Sequence, residues 1–201
     1  SAALLFALML LPAAAQEVTG TLGDEAAIEL LDTIGTPVIL LTHSMGGGIG
    51  FEVAERRPKM VKSIVTVEPG GPQIGSADTA KVLPGDRNPN SWGLTTQPYR
   101  YDPSAASPAD LNVKLEDKSE RPDEVRCWMQ VEPARKLVNF KDIRILDISA
   151  NGTYHRVYDP CIPKWLNQAG VKTDFVRLED VGIKGNGHMM MLEKNSDDII
   201  K

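Results

Sequence analysis

The chain has 201 residues, of which 42% are hydrophobic and 24% are charged, as is usual for one globular domain with a buried core. The formal net charge of −5 argues against nucleic acid or an anionic membrane as a partner. The two cysteines and three histidines form no Cys-x-x-Cys pattern or zinc cluster, so we expect neither a metal nor a cofactor.

Residues 1–16 (SAALLFALMLLPAAAQ) have two interpretations. The apolar run that ends in three alanines resembles a signal peptide with its cleavage site, but it has no initiator methionine and no basic segment before it. The run is shorter than the roughly 20 apolar residues of a helical membrane span. The alternative is a buried helix, or the start of a chain cut from a longer polypeptide.

Strands and helices are predicted to alternate in the first third of the chain. Asp24 can cap a helix whose apolar residues recur at helical spacing until Gly35. Residues 37–42 (PVILLT) are a continuous apolar run of strand length, a helix is predicted over 45–57, and residues 61–67 (VKSIVTV) form the next strand. Strand, helix and strand at this spacing predict a parallel sheet.

Residues 69–122 lack periodicity and contain many prolines and glycines. We expect them to form an irregular or mobile cap within a single domain, 1–201, because a loop this long is usually functional or disordered. Trp92, Tyr99 and Tyr101 are candidates for substrate contacts. Alternatively, these aromatic residues only pin the cap to the core.

The alternation resumes after the cap. The sequence predicts a helix over 123–138, a strand over 143–149, a helix over 159–169 that ends at Gly170, a strand over 171–178 and a last helix from about Met189.

Residues 42–46 (THSMG) lie between an apolar strand and a helix of small residues, which is the context of the nucleophile turn of serine hydrolases, usually Gly-x-Ser-x-Gly. Ser44 is the candidate nucleophile, and the N-terminus of the following helix places the amide of Met45 where it can donate to an oxyanion. The alternative is that Ser44 only caps a glycine-rich helix.

The nucleophile turn is strained, so its neighbours must be small. Gly46 and Gly47 are expected to supply the room. Thr42 departs from the pattern, because it puts a β-branched side chain where the first glycine is usual.

A serine nucleophile needs a base, and the base needs an orienting acid. His188 follows the last predicted strand of the core in a glycine-rich loop, which fits the chain order of nucleophile, acid and base. His155 is the rival, and we expect it to line the site or to bind a backbone carbonyl. His43 adjoins Ser44, and its side chain is expected to project away from the nucleophile.

Glu68 is the candidate acid because it stands at the carboxyl end of a strand, where α/β sheets hold their sites. Asp147 lies inside a predicted strand, and Asp159 is expected to cap a helix, so elimination favours Glu68. The alternative is a surface glutamate ahead of a proline turn.

Several segments together resemble a bacterial and fungal esterase group of α/β-hydrolases, from about residue 24 to the C-terminus: THSMGG, VEPGGP, YDP, QVEPARKL, YHRVYDPC and GIKGNGHMMMLEKNSDDI. The resemblance implies a three-layer α/β sandwich with a central parallel sheet. It also implies a triad of Ser44, Glu68 and His188, whose glutamate follows the strand after the nucleophile helix. The implied activity is cleavage of small-molecule carboxylic esters through an acyl-enzyme.

The resemblance further implies strands ahead of the nucleophile strand, so we expect this chain to be the C-terminal part of such a hydrolase. The loop that supplies a second oxyanion donor would precede it, and losing one donor costs about 10²–10³ in turnover. We therefore expect an impaired enzyme, and the alternative is a non-catalytic binding protein. Some members of the group are secreted and contain disulfides, which favours export, while the pairing of Cys127 with Cys161 stays open.

Overall fold

A computed structural model of the chain describes residues 4–6, 21–70 and 90–201. The strands within these residues are β1 (Leu4–Phe6), β2 (Val38–His43), β3 (Val61–Val67), β4 (Tyr101–Asp102), β5 (Val113–Leu115), β6 (Trp128–Gln130), β7 (Lys136–Leu137), β8 (Arg144–Ser149) and β9 (Thr173–Arg177). The α-helices are α1 (Thr21–Ile34), α2 (Met45–Arg56), α3 (Cys161–Gln168) and α4 (Ser196–Ile200).

Five of the strands form one sheet in the order β1-β2-β3-β8-β9, and every neighbouring pair is parallel. The predicted strands 37–42, 61–67, 143–149 and 171–178 are confirmed as β2, β3, β8 and β9, with ends that differ by at most two residues. These apolar runs are strands because helices and loops cover the sheet and remove their side chains from water.

The edge strand β1 comes from residues 1–16, for which a leader, a buried helix and the start of a cut chain are the expectations. Residues 4–6 are strand and not helix, and they pair with β2 from Leu4 opposite Ile39 to Phe6 opposite Leu41. The rest of residues 1–16 lies outside the described residues.

Helix α1 packs against α2, and the side chain of Ile49 approaches Gly23 closely. Helix α1 begins at Thr21, so Asp24 lies in the first turn of the helix and is not its cap. Gly35 ends it with a φ of 68°, the left-handed conformation that glycine adopts at little cost. Arg56 on α2 binds Glu25 across this helix pair.

The predicted helix over 123–138 is wrong. The segment instead contains β6 and β7, which pair antiparallel with β5 and β4 respectively. Pro133 lies in the middle of the predicted helix, and its missing N–H and its ring exclude an α-helical interior there. Of the predicted cap, residues 71–89 lie outside the described residues, and 90–122 form short strands and turns.

A disulfide joins Cys127, just before β6, to Cys161, the first residue of α3, with 5.2 Å between their Cα atoms. It ties the β5–β6 hairpin to the helix that the sequence predicts over 159–169 and that the structure confirms as α3. After Met189 the chain forms a short 3-10 turn, Met190–Leu192, before α4, so the predicted last helix begins later than expected. Among the described helices, none has the length and apolar character needed to cross a membrane.

Candidate active site

Two sharp turns at the carboxyl ends of β2 and β3 lie side by side. His43 pairs with Val67 across the sheet, so the next residues, Ser44 and Glu68, leave the sheet together. Both have a left-handed backbone, with φ of 54° at Ser44 and 45° at Glu68. Such φ values are uncommon outside glycine and cluster at functional sites, where the surrounding structure holds them.

The backbone around these turns is fixed by hydrogen bonds that extend the sheet. The Ser44 N–H donates to the Val67 carbonyl at 3.1 Å, and the Glu68 N–H donates to the Ile148 carbonyl at 3.0 Å. The Ser44 carbonyl accepts from the N–H groups of Gly47 at 2.9 Å and Gly70 at 2.6 Å. The strained turn at Ser44 is therefore held by hydrogen bonds at both the N–H and the carbonyl of this residue.

Close packing of α2 against these turns depends on Gly47 and Gly50. A Cβ on Gly47 would lie 2.2 Å from the Cβ of Pro69, and one on Gly50 would lie 2.7 Å from Cγ2 of Thr42. Gly50 thus accommodates the β-branched residue that departs from the usual motif. The prediction that Gly46 supplies room is wrong, because a Cβ there would have open space around it.

Glu68 is fully buried, and its carboxylate accepts hydrogen bonds from three residues, two in the loop after β8 and one in the loop of His188. Oε1 accepts from the Ala150 N–H at 2.9 Å, and Oε2 accepts from the Thr153 hydroxyl at 3.0 Å. Oε2 also accepts from Nδ1 of His188 at 2.6 Å. A surface role for Glu68 does not fit this burial, and the donors provide the partners that a buried carboxylate requires.

His188 connects Glu68 to Ser44. Its Nε2 lies 2.9 Å from Oγ of Ser44, while its Nδ1 binds the carboxylate on the other side. A carboxylate can only accept, so the neutral imidazole carries its proton on Nδ1 and accepts the serine hydroxyl proton at Nε2. The distances are those expected of a nucleophile, a base and an orienting acid.

Side chains from the segment 186–195 brace the loop that carries His188. Glu193 accepts from the Gly187 N–H at 2.8 Å and also binds the amide of Asn186. Asn195 and Asn186 exchange two side-chain hydrogen bonds of 2.7 and 3.0 Å. The sequence showed this segment as a specific motif but did not reveal that its polar residues hold the loop of the base.

The same loop is also tied to the loop that follows β8. The Gly152 N–H donates to the Asn186 carbonyl at 2.9 Å, and the Gly185 N–H donates to the Asn151 side chain at 2.7 Å. Since Thr153 binds Glu68, residues 151–153 of the loop after β8 connect the loop of His188 to the carboxylate of Glu68. The sequence did not single out these three residues.

His43 does not simply project away from the site. Its Nε2–H donates to the backbone carbonyl of His188 at 2.8 Å, and the two ring centroids are 4.5 Å apart. Burial lowers the pKa of His43, so this imidazole is neutral at neutral pH. It anchors the backbone of His188 from the turn that carries Ser44.

His155 lies directly beside His188. It is almost fully buried, its ring is stacked on that of His188 at 4.5 Å and 5° from parallel, and its Nδ1 shares a 2.9 Å hydrogen bond with Asp159. The expectation that Asp159 caps a helix is wrong, since α3 has no side-chain cap and the carboxyl group faces His155. Tyr154, half exposed, brings its ring to 5.5 Å from that of His188.

The two other acid candidates are buried without contacting His188. Asp147 lies inside β8, and neither of its oxygens has a hydrogen-bond partner among the described residues. Burial raises the pKa of Asp147 well above its ordinary value of 3.8, and the neighbouring Asp159 and Glu68 raise it further. Burial, followed by the charge of Glu68, also raises the pKa of Asp159.

Trp92 and Tyr99 belong to the hydrophobic core, with 9% and 4% of their surface exposed. The Tyr99 ring packs edge-on against Phe140 at 5.8 Å. The Tyr101 hydroxyl donates to the Trp92 carbonyl at 2.8 Å. These aromatic residues pin the inserted segment, residues 90–140, to the core. They are buried because large aromatic surfaces gain most by leaving water. This burial corrects the expectation that Trp92 and Tyr99 contact substrate.

Glu68, His155 and His188 also bring potential metal-ligating atoms within 4.8 Å of one another. The stacked imidazoles are 5° from parallel, so their in-plane lone pairs do not converge on one ion. Both ring nitrogens of His188 are also already hydrogen-bonded. The geometry therefore favours a hydrogen-bonded site over a metal centre.

Comparison with known proteins agrees with this fold. The model of the alpha/beta hydrolase family matches residues 12–201. A fungal protein named "Probable secreted lipase phiG" (Fungal sp., strain ATCC 74256) is 38% identical over 185 residues, which are 92% of this chain and 49% of that protein. The chain thus spans about half the length of this relative.

A solved structure of a novel bacterial esterase superimposes with a TM-score of 0.52 at 18% identity, covering 90% of this chain and 41% of the esterase. This likeness concerns the fold. Together with the family match over residues 12–201, it shows that the chain belongs to the alpha/beta hydrolase family.

Proposed function

We propose that the chain carries the catalytic triad of a serine hydrolase that cleaves small-molecule carboxylic esters. The observation that carries this proposal is the continuous hydrogen-bond chain from Ser44 through His188 to Glu68, with distances of 2.9 and 2.6 Å. The serine stands on a strained turn before a helix N-terminus, and the acid is fully buried.

Acylation follows from the protonation states of these groups. As Oγ of Ser44 attacks the ester carbonyl, its proton passes to Nε2 of His188, and the carbonyl electrons move onto oxygen. The backbone N–H of Met45 has no partner within the helix, because it lies in the first turn of α2, and it donates to this oxyanion. When the C–O bond breaks, Nε2–H protonates the departing alcohol, leaving an ester on Ser44.

Deacylation repeats these steps with water in place of serine. His188 takes a proton from water at Nε2, the resulting hydroxide attacks the acyl carbon, and the proton returns to Oγ of Ser44 as the carboxylic acid leaves. Glu68 holds the imidazole in the required tautomer and stabilises the imidazolium that forms in each half-reaction. Ala150 and Thr153 fix the carboxylate for this role.

The relative named as a probable secreted lipase supports an ester substrate for this chain. The disulfide between Cys127 and Cys161 supports an exported protein, because such bonds persist mainly in oxidising compartments. Tyr154, exposed next to His188, replaces Trp92 and Tyr99 as the aromatic residue that we propose to contact substrate.

A fluorophosphonate probe separates this proposal from the alternative of a non-catalytic binding protein. Only a serine activated by a base reacts rapidly with such a probe, so we expect stoichiometric labelling that peptide mass spectrometry maps to Ser44. Ser44→Ala is the negative control, and it should abolish labelling. A folded chain that stays unlabelled would favour the binding protein.

A further inference from the structure

We infer that His155, anchored by Asp159, positions the imidazole of His188 by stacking against it. This inference rests on the proposed function, since a positioning residue matters only if His188 acts as a base. The chain has three histidines in all, and both others contact the ring of His188 at 4.5 Å. Only His155 is parallel to it, at 5°.

The orientation of the His155 ring is determined from several sides. Its Nδ1 shares the 2.9 Å hydrogen bond with Asp159, and both side chains are at most 1% exposed. The rings of Tyr154 and Tyr158 lie 4.6 and 5.0 Å from it. A buried ring with so many neighbours has one orientation, so it can act as a fixed platform.

The backbone of His155 is coupled to the acid of the triad as well. The His155 N–H donates to Oγ1 of Thr153 at 3.2 Å, and the same hydroxyl donates to Oε2 of Glu68 at 3.0 Å. The Asp159 N–H in turn donates to the His155 carbonyl at 2.9 Å. The platform and the carboxylate therefore keep a fixed relation to each other, and both face His188.

Stacking supplies a constraint that the hydrogen bonds of the base lack. Hydrogen bonds tolerate departures of some tens of degrees from linearity, so the bonds at Nδ1 and Nε2 leave His188 free to tilt. A parallel ring in contact with one face restricts that tilt. Since misplacing a reacting group by about 1 Å can cost about 10²-fold in rate, a tilted base would transfer the serine proton slowly even in a well-folded protein.

The test is the kinetics of fluorophosphonate labelling at Ser44 in paired variants. His155→Phe keeps a flat ring, whereas His155→Leu keeps apolar volume without one. We expect the maximal labelling rate to fall roughly 10- to 100-fold in His155→Leu, with an unchanged half-saturating probe concentration. His155→Phe keeps the stacked ring but cannot bind Asp159, so it should label faster than His155→Leu and more slowly than wild type. Thermal unfolding of the two variants, which should be similar, separates positioning from loss of structure.

A second pair at Asp159 gives an independent answer if the His155 variants do not fold. An amide can still accept or donate a hydrogen bond, so Asp159→Asn should label much faster than Asp159→Ala. The positioning role would be overturned if the two variants at either position were labelled at equal rates, or if His155→Leu and Asp159→Ala were labelled at the wild-type rate. Neither result would affect the proposed function. A wild-type chain that is not labelled at all would overturn the proposed function, and the positioning role with it.

Discussion

The turns after β2 and β3 and the inserted segment 90–140 differ in how their sequences determine their structures. At the turns, each functional residue directly follows an apolar run, and the parallel pairing of β2 with β3 brings Ser44 and Glu68 together. In the insert, short strands pair across many intervening residues, and aromatic side chains are buried against distant helices. The turns that carry Ser44 and Glu68 thus stand on local, repetitive structure, whereas the insert depends on long-range contacts.

The largest expected effect comes from removing the groups that react. Ser44→Ala and His188→Ala should each lower ester turnover by about 10⁴–10⁶, as in other triads, because no other serine or base occupies this hydrogen-bond chain. Initial rates with a short-chain chromogenic ester measure the effect, with circular dichroism as the control for folding. If either variant kept more than a few per cent of wild-type turnover, the residue that it replaces would not take part in the reaction.

The insert offers the next test, because a disulfide joins its Cys127 to Cys161 of α3, 34 residues further along the chain. Replacing both Cys127 and Cys161 by serine should lower the free energy of unfolding by about 2–4 kcal/mol, chiefly by releasing the unfolded chain from a closed loop. Denaturant unfolding measures this difference. If the insert were held mainly by its buried aromatic residues, the double variant would lose much less.

Two adjacent glycines of α2 test the packing of the nucleophile turn. Gly47→Ala should cost about 1–3 kcal/mol of stability, because its Cβ would lie 2.2 Å from that of Pro69. Gly46→Ala is the matched control, since its Cβ would meet nothing within 4 Å, and it should be neutral or stabilising by up to about 1 kcal/mol. Equal unfolding midpoints for the two variants would contradict the close packing of Gly47 against Pro69.

The smallest effect concerns the buried Asp147 and its dependence on pH. The pKa of Asp147 is raised in the folded state. Protonated Asp147 therefore contributes its full stabilisation at a pH below the ordinary pKa of 3.8, and this stabilisation is lost as the pH rises toward the raised pKa. Wild-type protein should therefore lose stability relative to Asp147→Asn as the pH increases through this range. Denaturant melts of both proteins at several pH values measure the difference, and parallel curves would mean that Asp147 titrates normally.

The sequence predicted the parts of the molecule in which local pattern decides structure. Apolar runs predicted four strands of the sheet, and the order of nucleophile, acid and base led to Ser44 and His188. For Glu68, the strand-end position, elimination and the resemblance all point to the acid, although nothing local distinguishes a buried glutamate from a surface one. Its burial depends on Ala150 and Thr153, which lie more than 80 residues away.

The wrong predictions for Asp159, Trp92 and Tyr99 concern contacts that no local sequence pattern determines. Asp159 precedes a helix as a capping residue would, yet its carboxyl group faces His155. Trp92 and Tyr99 stand in a proline-rich segment, as substrate-binding aromatic residues often do, yet they fill the core. In each case the partner of the side chain is determined by tertiary structure and not by the local sequence.

The proposed triad depends most on Glu68 being the acid, and one pair of variants tests this directly. Turnover of a short-chain ester should fall by about 10²–10⁴ in Glu68→Gln, because the amide does not hold the imidazole in the correct tautomer. Asp147→Asn should stay within about threefold of wild type, because Asp147 does not contact the base. If Asp147→Asn abolished turnover of a folded protein while Glu68→Gln did not, the assignment of the acid would be wrong.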